Sequence, residues 1–475
     1  MKWKELLSPV RIKALFGAKS SKLPPQDLRS QFERDYDRAV FSTTVRRLQD
    51  KAQVFIKDPS DAVRTRLTHS LEVSTVARGL GRQIAQWLVE EGEVNADEAH
   101  AIELIAATCG LIHDLGNPPF GHAGERAISY WFKRKLEQDN KFFYFNKLLK
   151  NAKSQYAQDF LHFEGNAQTL RLLCKLQMLA DLHGLNITCG TFSAACKYTS
   201  ASHKTKTGDH DPHEKSKPGF FASEAALIRR IREVTGTGDQ RNPITYLTEA
   251  SDDMVYLTVD IEDAVRKRVV RWQQVEDFLR GKVDKDFKVE PALLNKCIGE
   301  AQDYIRKGGL GMEGHEYDEA MAQCFRTYAI REIFAAVRDE FKKRYSAIIS
   351  GSYHGELTRD CSANSLVVAC QQIGRTMIYC APQTLKLEVM GRTVITDLMD
   401  LYWEGAGQHD GSSKSRDFPG KVFALFSQNY RRVYANAVKE RLLPERYCRM
   451  QLVTDYICGM TDTFACRLHK ELRND

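Results

Sequence analysis

Apolar residues returning every three to four positions constrain this chain more than any other feature. From His69, the positions Val73, Val76, Leu80, Ile84 and Trp87 fall on one stripe, the mark of a helix with one buried face. Residues 99–115 are apolar nearly all round, which predicts a central helix, and residues 244–264, 321–345, 365–380 and 445–470 carry the same period. Alternating runs are few. Residues 385–394 are the best candidate for a short hairpin, with Gly391 at its turn. The fold class is therefore all-α, with at most that short β-hairpin.

Three stretches break the period. Residues 1–30 are basic and contain Pro and Ser, which predicts an N-terminal arm. Residues 199–219 (TSASHKTKTGDHDPHEKSKPG) are polar and basic, which predicts a long surface loop or lid. Residues 404–417 (EGAGQHDGSSKSRD) read as a second loop.

A hydrophobic content of 43% over 475 residues is enough for large cores and excludes extensive disorder. The net charge of +7 suits an anionic substrate but is too mild to identify a nucleic-acid binder. MKWKELLSPV has no apolar core of a signal peptide, and the run from Ala101 to Ile112 is too short to span a bilayer. The 12 cysteines form no CxxC pair and read as reduced thiols of a cytoplasmic protein.

His-Asp occurs at 113–114, 210–211 and 409–410, against roughly one occurrence expected by chance, so context must separate them. Two lie in the polar loops, where solvated side chains are the ordinary reading. His113-Asp114 instead ends the most apolar helix, where a carboxylate must be paired, hydrogen-bonded or metal-bound. His69 heads its own apolar stripe. Two such histidines beside an aspartate suit a divalent ion with open positions. A fourth ligand is available in EASDDMVYLTVDIED, where Asp252, Tyr256 and Asp260 fall at i, i+4 and i+8 on one polar face of an otherwise apolar helix. In NPPFGHAGE, prolines and glycines force a turn before a helix on which His122 and Glu125 stand at i, i+3. A histidine oriented by a carboxylate is what general acid–base work requires.

RTRLTHSLEV, HDLGNPPFGHAGE, HFEGNAQ, ASDDMVY and DIEDAV, in that order, resemble the successive motifs of the HD-domain deoxynucleotide triphosphohydrolases, the bacterial dGTPases. RRLQDKAQVF and the C-terminal ERYCRMQLVTDYICGMTDTFA are similar to the same family, and HDLGNPPFGH and FEGN to its enterobacterial-type branch. The resemblance implies an HD helical core over 31–275 with the 199–219 insertion. It also implies a C-terminal helical region over 276–475 that contributes to a base pocket and to oligomer contacts. It implies hydrolysis of dGTP, and in some members other dNTPs, to the deoxynucleoside and inorganic tripolyphosphate. Carried over motif by motif, His69, His113, Asp114 and Asp252 would hold Mn²⁺ or Mg²⁺, and His122 with Glu125 would be the catalytic dyad. Arg64, Lys197 and Lys217 would meet the triphosphate. Tyr256, Asp260 and Gln53 would face the sugar, and Glu388, in LKLEVMG, would read guanine. Family members are homo-oligomers, often hexamers, and some take single-stranded DNA as an activator. Ala52 stands where threonine is commoner, and the 199–219 segment matches only at KYT and KPGFF, which leaves substrate selectivity open.

Two other readings remain. One is an HD enzyme acting on a cyclic dinucleotide or guanosine tetraphosphate; the lack of an HHExxDGxGYP pattern argues against the former substrate. The other is a nucleic-acid-binding regulator with a vestigial site, against which the complete ligand set and dyad argue.

Overall fold

The computed structural model of the chain describes residues 1–17, 27–55, 63–137, 154–177, 181–208, 211–408 and 417–473. Its principal helices are α1 (Arg66–Glu90), α2 (Ala96–Ile112), α3 (His122–Glu137), α4 (Gly165–Arg171), α5 (Pro243–Arg266), α6 (Gly314–Ser350), α7 (Pro382–Gln408), α8 (Glu445–Cys458) and α9 (Asp462–Arg473). Local chemistry sets where they begin. The Thr65 hydroxyl accepts the Thr68 N–H ahead of α1, Asn95 and Glu98 form a reciprocal capping box on α2, and Asn242 caps α5 with Pro243 at its first position.

Small residues let α1 and α2 approach closely. A Cβ at Gly110 would lie 2.8 Å from the Ser74 Cα, and the Ser74 hydroxyl donates to the Ala107 carbonyl at 2.7 Å. Gly116 does the same for α4, where a Cβ would sit 2.2 Å from the Thr169 nitrogen. Two apolar cores share α2. Ile102, Ile105 and Cys109 pack with α1, α5 and α6 in one, whereas Leu111 and Ile112 pack with α3, α4, α7 and α8 in the other. The end of α2 therefore emerges between the cores, which is where His113 and Asp114 stand.

The all-α class holds, but its β content lies elsewhere than predicted. Residues 385–394 are helical, inside α7, with Val394, Ile395 and Leu398 buried. Gly391 makes no turn; it lets the Phe120 ring approach, whose Cγ would be 2.8 Å from a Cβ there. The strands among the described residues are β1 (Ser200–Ala201) and β2 (Pro218–Phe220), a short parallel pair. β1 falls within 199–219 and β2 crosses its end, so that segment is not a simple surface loop. Glu214 is buried, and the Asp159 carboxyl accepts the Ser202 and Tyr447 hydroxyls at 2.6 Å each, tying the segment to α8.

Nor are residues 1–17 a free arm. Trp3, Leu6 and Ile12 are buried and Arg11 pairs with the buried Asp35 at 3.0 Å. Residues 404–408 complete α7, while 409–416, with the third His-Asp dipeptide, lie outside the described residues, as does His210 of the second. The period over 445–470 is divided between α8 and α9 at residues 459–461. All 12 cysteines are free and most are buried. No helix among the described residues is long and apolar enough to cross a membrane.

Candidate metal and catalytic site

His69 stands in the first turn of α1, His113 caps the end of α2, Asp114 follows it, and Asp252 lies on α5. Ligand atoms of His69, His113 and Asp114 lie within 4.8 Å of one another. The Asp252 Oδ1 is 3.2 Å from the His69 Nε2 and 3.5 Å from the His113 Nε2, which is itself 3.7 Å from the Asp114 Oδ1. The His113 Nδ1 lies 2.7 Å from the Gly110 carbonyl, which only accepts, so Nδ1 carries the proton and Nε2 faces the carboxylates. That Nε2 is buried without a hydrogen-bond partner. Burial opposes charge on the ring, but Asp114 and Asp252 overcome it and lift His113 to about 9. Burial likewise works against the Asp114 carboxylate, yet Arg66, which donates to its Oδ2, and His113 hold it down at about 2. Two imidazoles and two carboxylates gathered around an unpartnered nitrogen fit a divalent cation.

The segment from Asp114 to His122 turns on Phe120 and Gly121, with φ of +64° and +56°. Gly121 is needed there, because a Cβ would lie 2.2 Å from the Arg66 guanidinium. The turn delivers His122 to the head of α3. Its Nδ1 lies 2.6 Å from the Glu125 Oε2, and the Glu125 Oε1 accepts the Gly165 N–H at 2.8 Å. The hydrogen bond to Glu125 raises the His122 pKa; at Glu125 burial is outweighed by His122, and the carboxyl is lowered. Asn117 bonds the Asp114 Oδ1 through its amide at 2.6 Å, joining the dyad's turn to the metal cluster.

One cavity of about 820 Å³ is lined by the four candidate ligands and by His122 of the dyad, and Gln53, Lys197, Lys217, Tyr256, Asp260 and Glu388 also line it. Arg64 does not. Its guanidinium is held by Glu72 and Glu262 at 3.0 Å and by Asp263 at 2.6 Å, so it is no contact for a phosphate. Arg66 lines the cavity instead. It precedes His69 by three residues and therefore shares its face of α1, a spacing that the sequence offered. Lys197 and Lys217 flank the Tyr198 ring at 6.0 and 5.6 Å. Glu388 is half-buried in the cavity wall and accepts from Arg126 at 2.7 Å. The Gln53 Oε1 is buried without a partner. Sequence reasoning also missed Tyr379, whose hydroxyl donates to the Asp260 Oδ2 at 2.6 Å. Burial pushes the Asp260 carboxyl up to about 7, and its Oδ1 has no partner.

Residues 66–181 match the HD domain and residues 365–471 the phosphohydrolase-associated domain. The chain is 36% identical to the deoxyguanosinetriphosphate triphosphohydrolase-like protein of Listeria monocytogenes, covering 99% of each chain. It is 30% identical to the deoxyguanosinetriphosphate triphosphohydrolase of Yersinia enterocolitica, covering 98% of this chain and 97% of that one. A Synechocystis deoxyguanosinetriphosphate triphosphohydrolase-like protein is 30% identical over 100% of this chain and 99% of its own. The chain belongs to the HD-domain dGTPase family. These identities do not favour the enterobacterial branch, since the Listeria protein is the more similar of the first two. The HD match contains His69, His113, Asp114, His122 and Glu125; Asp252 falls beyond it, and Glu388 lies within the phosphohydrolase-associated match. Membership of this phosphohydrolase family implies a divalent metal, for which the cluster at the end of α2 is the candidate place.

Proposed function

We propose that this HD phosphohydrolase converts dGTP, with other dNTPs as further candidate substrates, to the deoxynucleoside and inorganic tripolyphosphate, with Mn²⁺ or Mg²⁺ held by His69, His113, Asp114 and Asp252. The observation that carries this reading is that one cavity is lined by the His/Asp cluster, by His122, whose Nδ1 is held by Glu125, and by Asp260, whose Oδ1 has no partner. Asp252 and Asp260 both stand on α5, about 12 Å apart along its axis, a span that admits a nucleotide between them.

In this reading His69, His113, Asp114 and Asp252 would hold the cation, which when bound would polarise the α-phosphate and orient the attacking water. Water oxygen bonds to the α-phosphorus as the bond from phosphorus to the 5′-oxygen breaks, and the 5′-oxygen leaves with a proton. Glu125 occupies the Nδ1 side of His122, so Nε2 is the atom at which that ring takes a proton from the nucleophile or gives one to the leaving oxygen. Arg66, Lys197 and Lys217 neutralise the triphosphate, and such charge neutralisation and positioning supply most of phosphoryl-transfer catalysis. Asp260, held by Tyr379, and Gln53 bond the 3′-hydroxyl, while Tyr256 and Tyr379 crowd the 2′ position against ribonucleotides. Glu388, from the C-terminal region 276–475, accepts from N1 and the exocyclic amine of guanine once it exchanges Arg126 for the base. Family membership also supports a homo-oligomer, a hexamer among the forms it takes, and activation by single-stranded DNA.

Incubation of the protein with each dNTP and NTP plus Mn²⁺, followed by ³¹P NMR of the products, tests the reading. Tripolyphosphate from dGTP is expected; pyrophosphate or a nucleoside monophosphate as the product overturns it.

A further inference from the structure

Asp462 opens α9 and is buried, yet it does not cap its own helix: the Thr461 hydroxyl accepts the Phe464 N–H instead. Both Asp462 oxygens are taken by other parts of the chain. Oδ2 accepts the Ala52 N–H at 2.9 Å and Oδ1 the Phe120 N–H at 2.9 Å. Ala52 is bonded to Gln53, which lines the cavity with an unpartnered Oε1, and Phe120 is the left-handed residue whose turn delivers His122. Lys51 cross-braces the same junction, donating its buried Nζ to the carbonyls of Asn117 at 2.5 Å and Cys458 at 3.0 Å. The Thr463 hydroxyl adds a bond to the Asp50 Oδ1 at 2.6 Å.

We infer that Asp462 is a positioning residue, one carboxylate that holds the segments carrying Gln53 and His122 in register across the cavity. The inference rests on the proposed roles of those two residues. An acceptor-only carboxylate bonds two converging N–H groups at once, which neither a hydroxyl nor an amide of the same size does as well. The left-handed Phe120 persists only while its surroundings determine it, and Asp462 is the side chain that bonds its N–H.

Asp462→Asn keeps the size but turns an NH₂ against one of the two N–H donors. In ¹³C-histidine-labelled protein, with His122→Ala to assign the resonance, the His122 titration is expected to move to lower pH as the ring separates from Glu125. With dGTP and Mn²⁺, kcat is expected to fall on the order of 10- to 100-fold, the usual consequence of displacing a catalytic group by about 1 Å. KM should rise, and Gln53→Ala should add little to that rise in the double variant, because both changes disable one unit. A folded Asp462→Asn protein with the wild-type His122 titration, kcat and KM overturns the inference, and multiplying effects on KM overturn its Gln53 half. If wild-type protein hydrolyses no dNTP, the functional reading fails, while the substrate-free His122 titration still decides the role of Asp462. Should Asp462→Asn not fold, Lys51→Met cuts the same junction at its other brace and is expected to move the same titration in the same direction.

Discussion

A single carboxylate sets the charge on His122, and this gives the dyad a directional test. Glu125 raises the His122 pKa by hydrogen bonding it, so the protonated ring persists to higher pH than an ordinary imidazole. Glu125→Gln removes that charge, and the limb of the pH–rate profile that follows His122 should move to lower pH, whichever way the proton travels. His122→Ala should lower kcat by about 10²- to 10⁴-fold while leaving metal affinity unchanged, as measured by calorimetry; loss of metal binding would instead place His122 among the ligands. The ligand candidates were legible because each stands in or at the end of a helix that is otherwise apolar, where a polar group calls for an explanation. Arg66 was readable by the same spacing. Arg64 misled because it stands outside the helix, before the capping Thr65, and turns to three acids that no local pattern announces. Tyr379 lies 119 residues from the Asp260 it bonds, so nothing near either residue joins them.

Among the elements, the crossing of α1 on α2 decides where two of the imidazoles meet. Gly110 lies three residues before His113, and Ser74 five after His69, with room at their contact for a hydrogen and no more. Gly110→Ala should force the helices apart, destabilise the fold by roughly 1–3 kcal/mol in denaturant unfolding, and weaken metal binding in the folded fraction; unchanged metal affinity would show that the crossing does not set the site. Periodicity made most helices legible but misplaced the β structure. LKLEVMGRTV alternates over a few residues, yet Val394, Ile395 and Leu398 carry a helical face onward against the second core, and that longer burial prevails. β1 and β2 were hidden because they are two and three residues long, and the Asp159 carboxyl that accepts from Ser202 and Ala222 just beyond them lies 43 and 63 residues away in sequence.

At the scale of the molecule, the candidate metal cluster ties α1, α2 and α5 together at the junction of the two cores. Cation binding to the folded state alone should therefore stabilise the protein, by about 2.7 kcal/mol at a hundredfold excess over Kd. Thermal unfolding with Mn²⁺ against EDTA measures this; the rise in Tm should vanish in Asp252→Ala, and its survival there would remove Asp252 from the ligand set. The junction at Asp462 also imposes an order in time. The Phe120 turn is made 342 residues before the carboxylate that bonds it. At about 5–20 residues per second of synthesis, the turn waits on the order of 20 to 70 seconds for that partner. A polypeptide stopped short of α8 would contain all four candidate ligands and the dyad and still lack this carboxylate. The register of Gln53 and His122 thus waits for α9, and chains truncated before that helix should hydrolyse dGTP at least on the order of 10- to 100-fold more slowly than the intact protein.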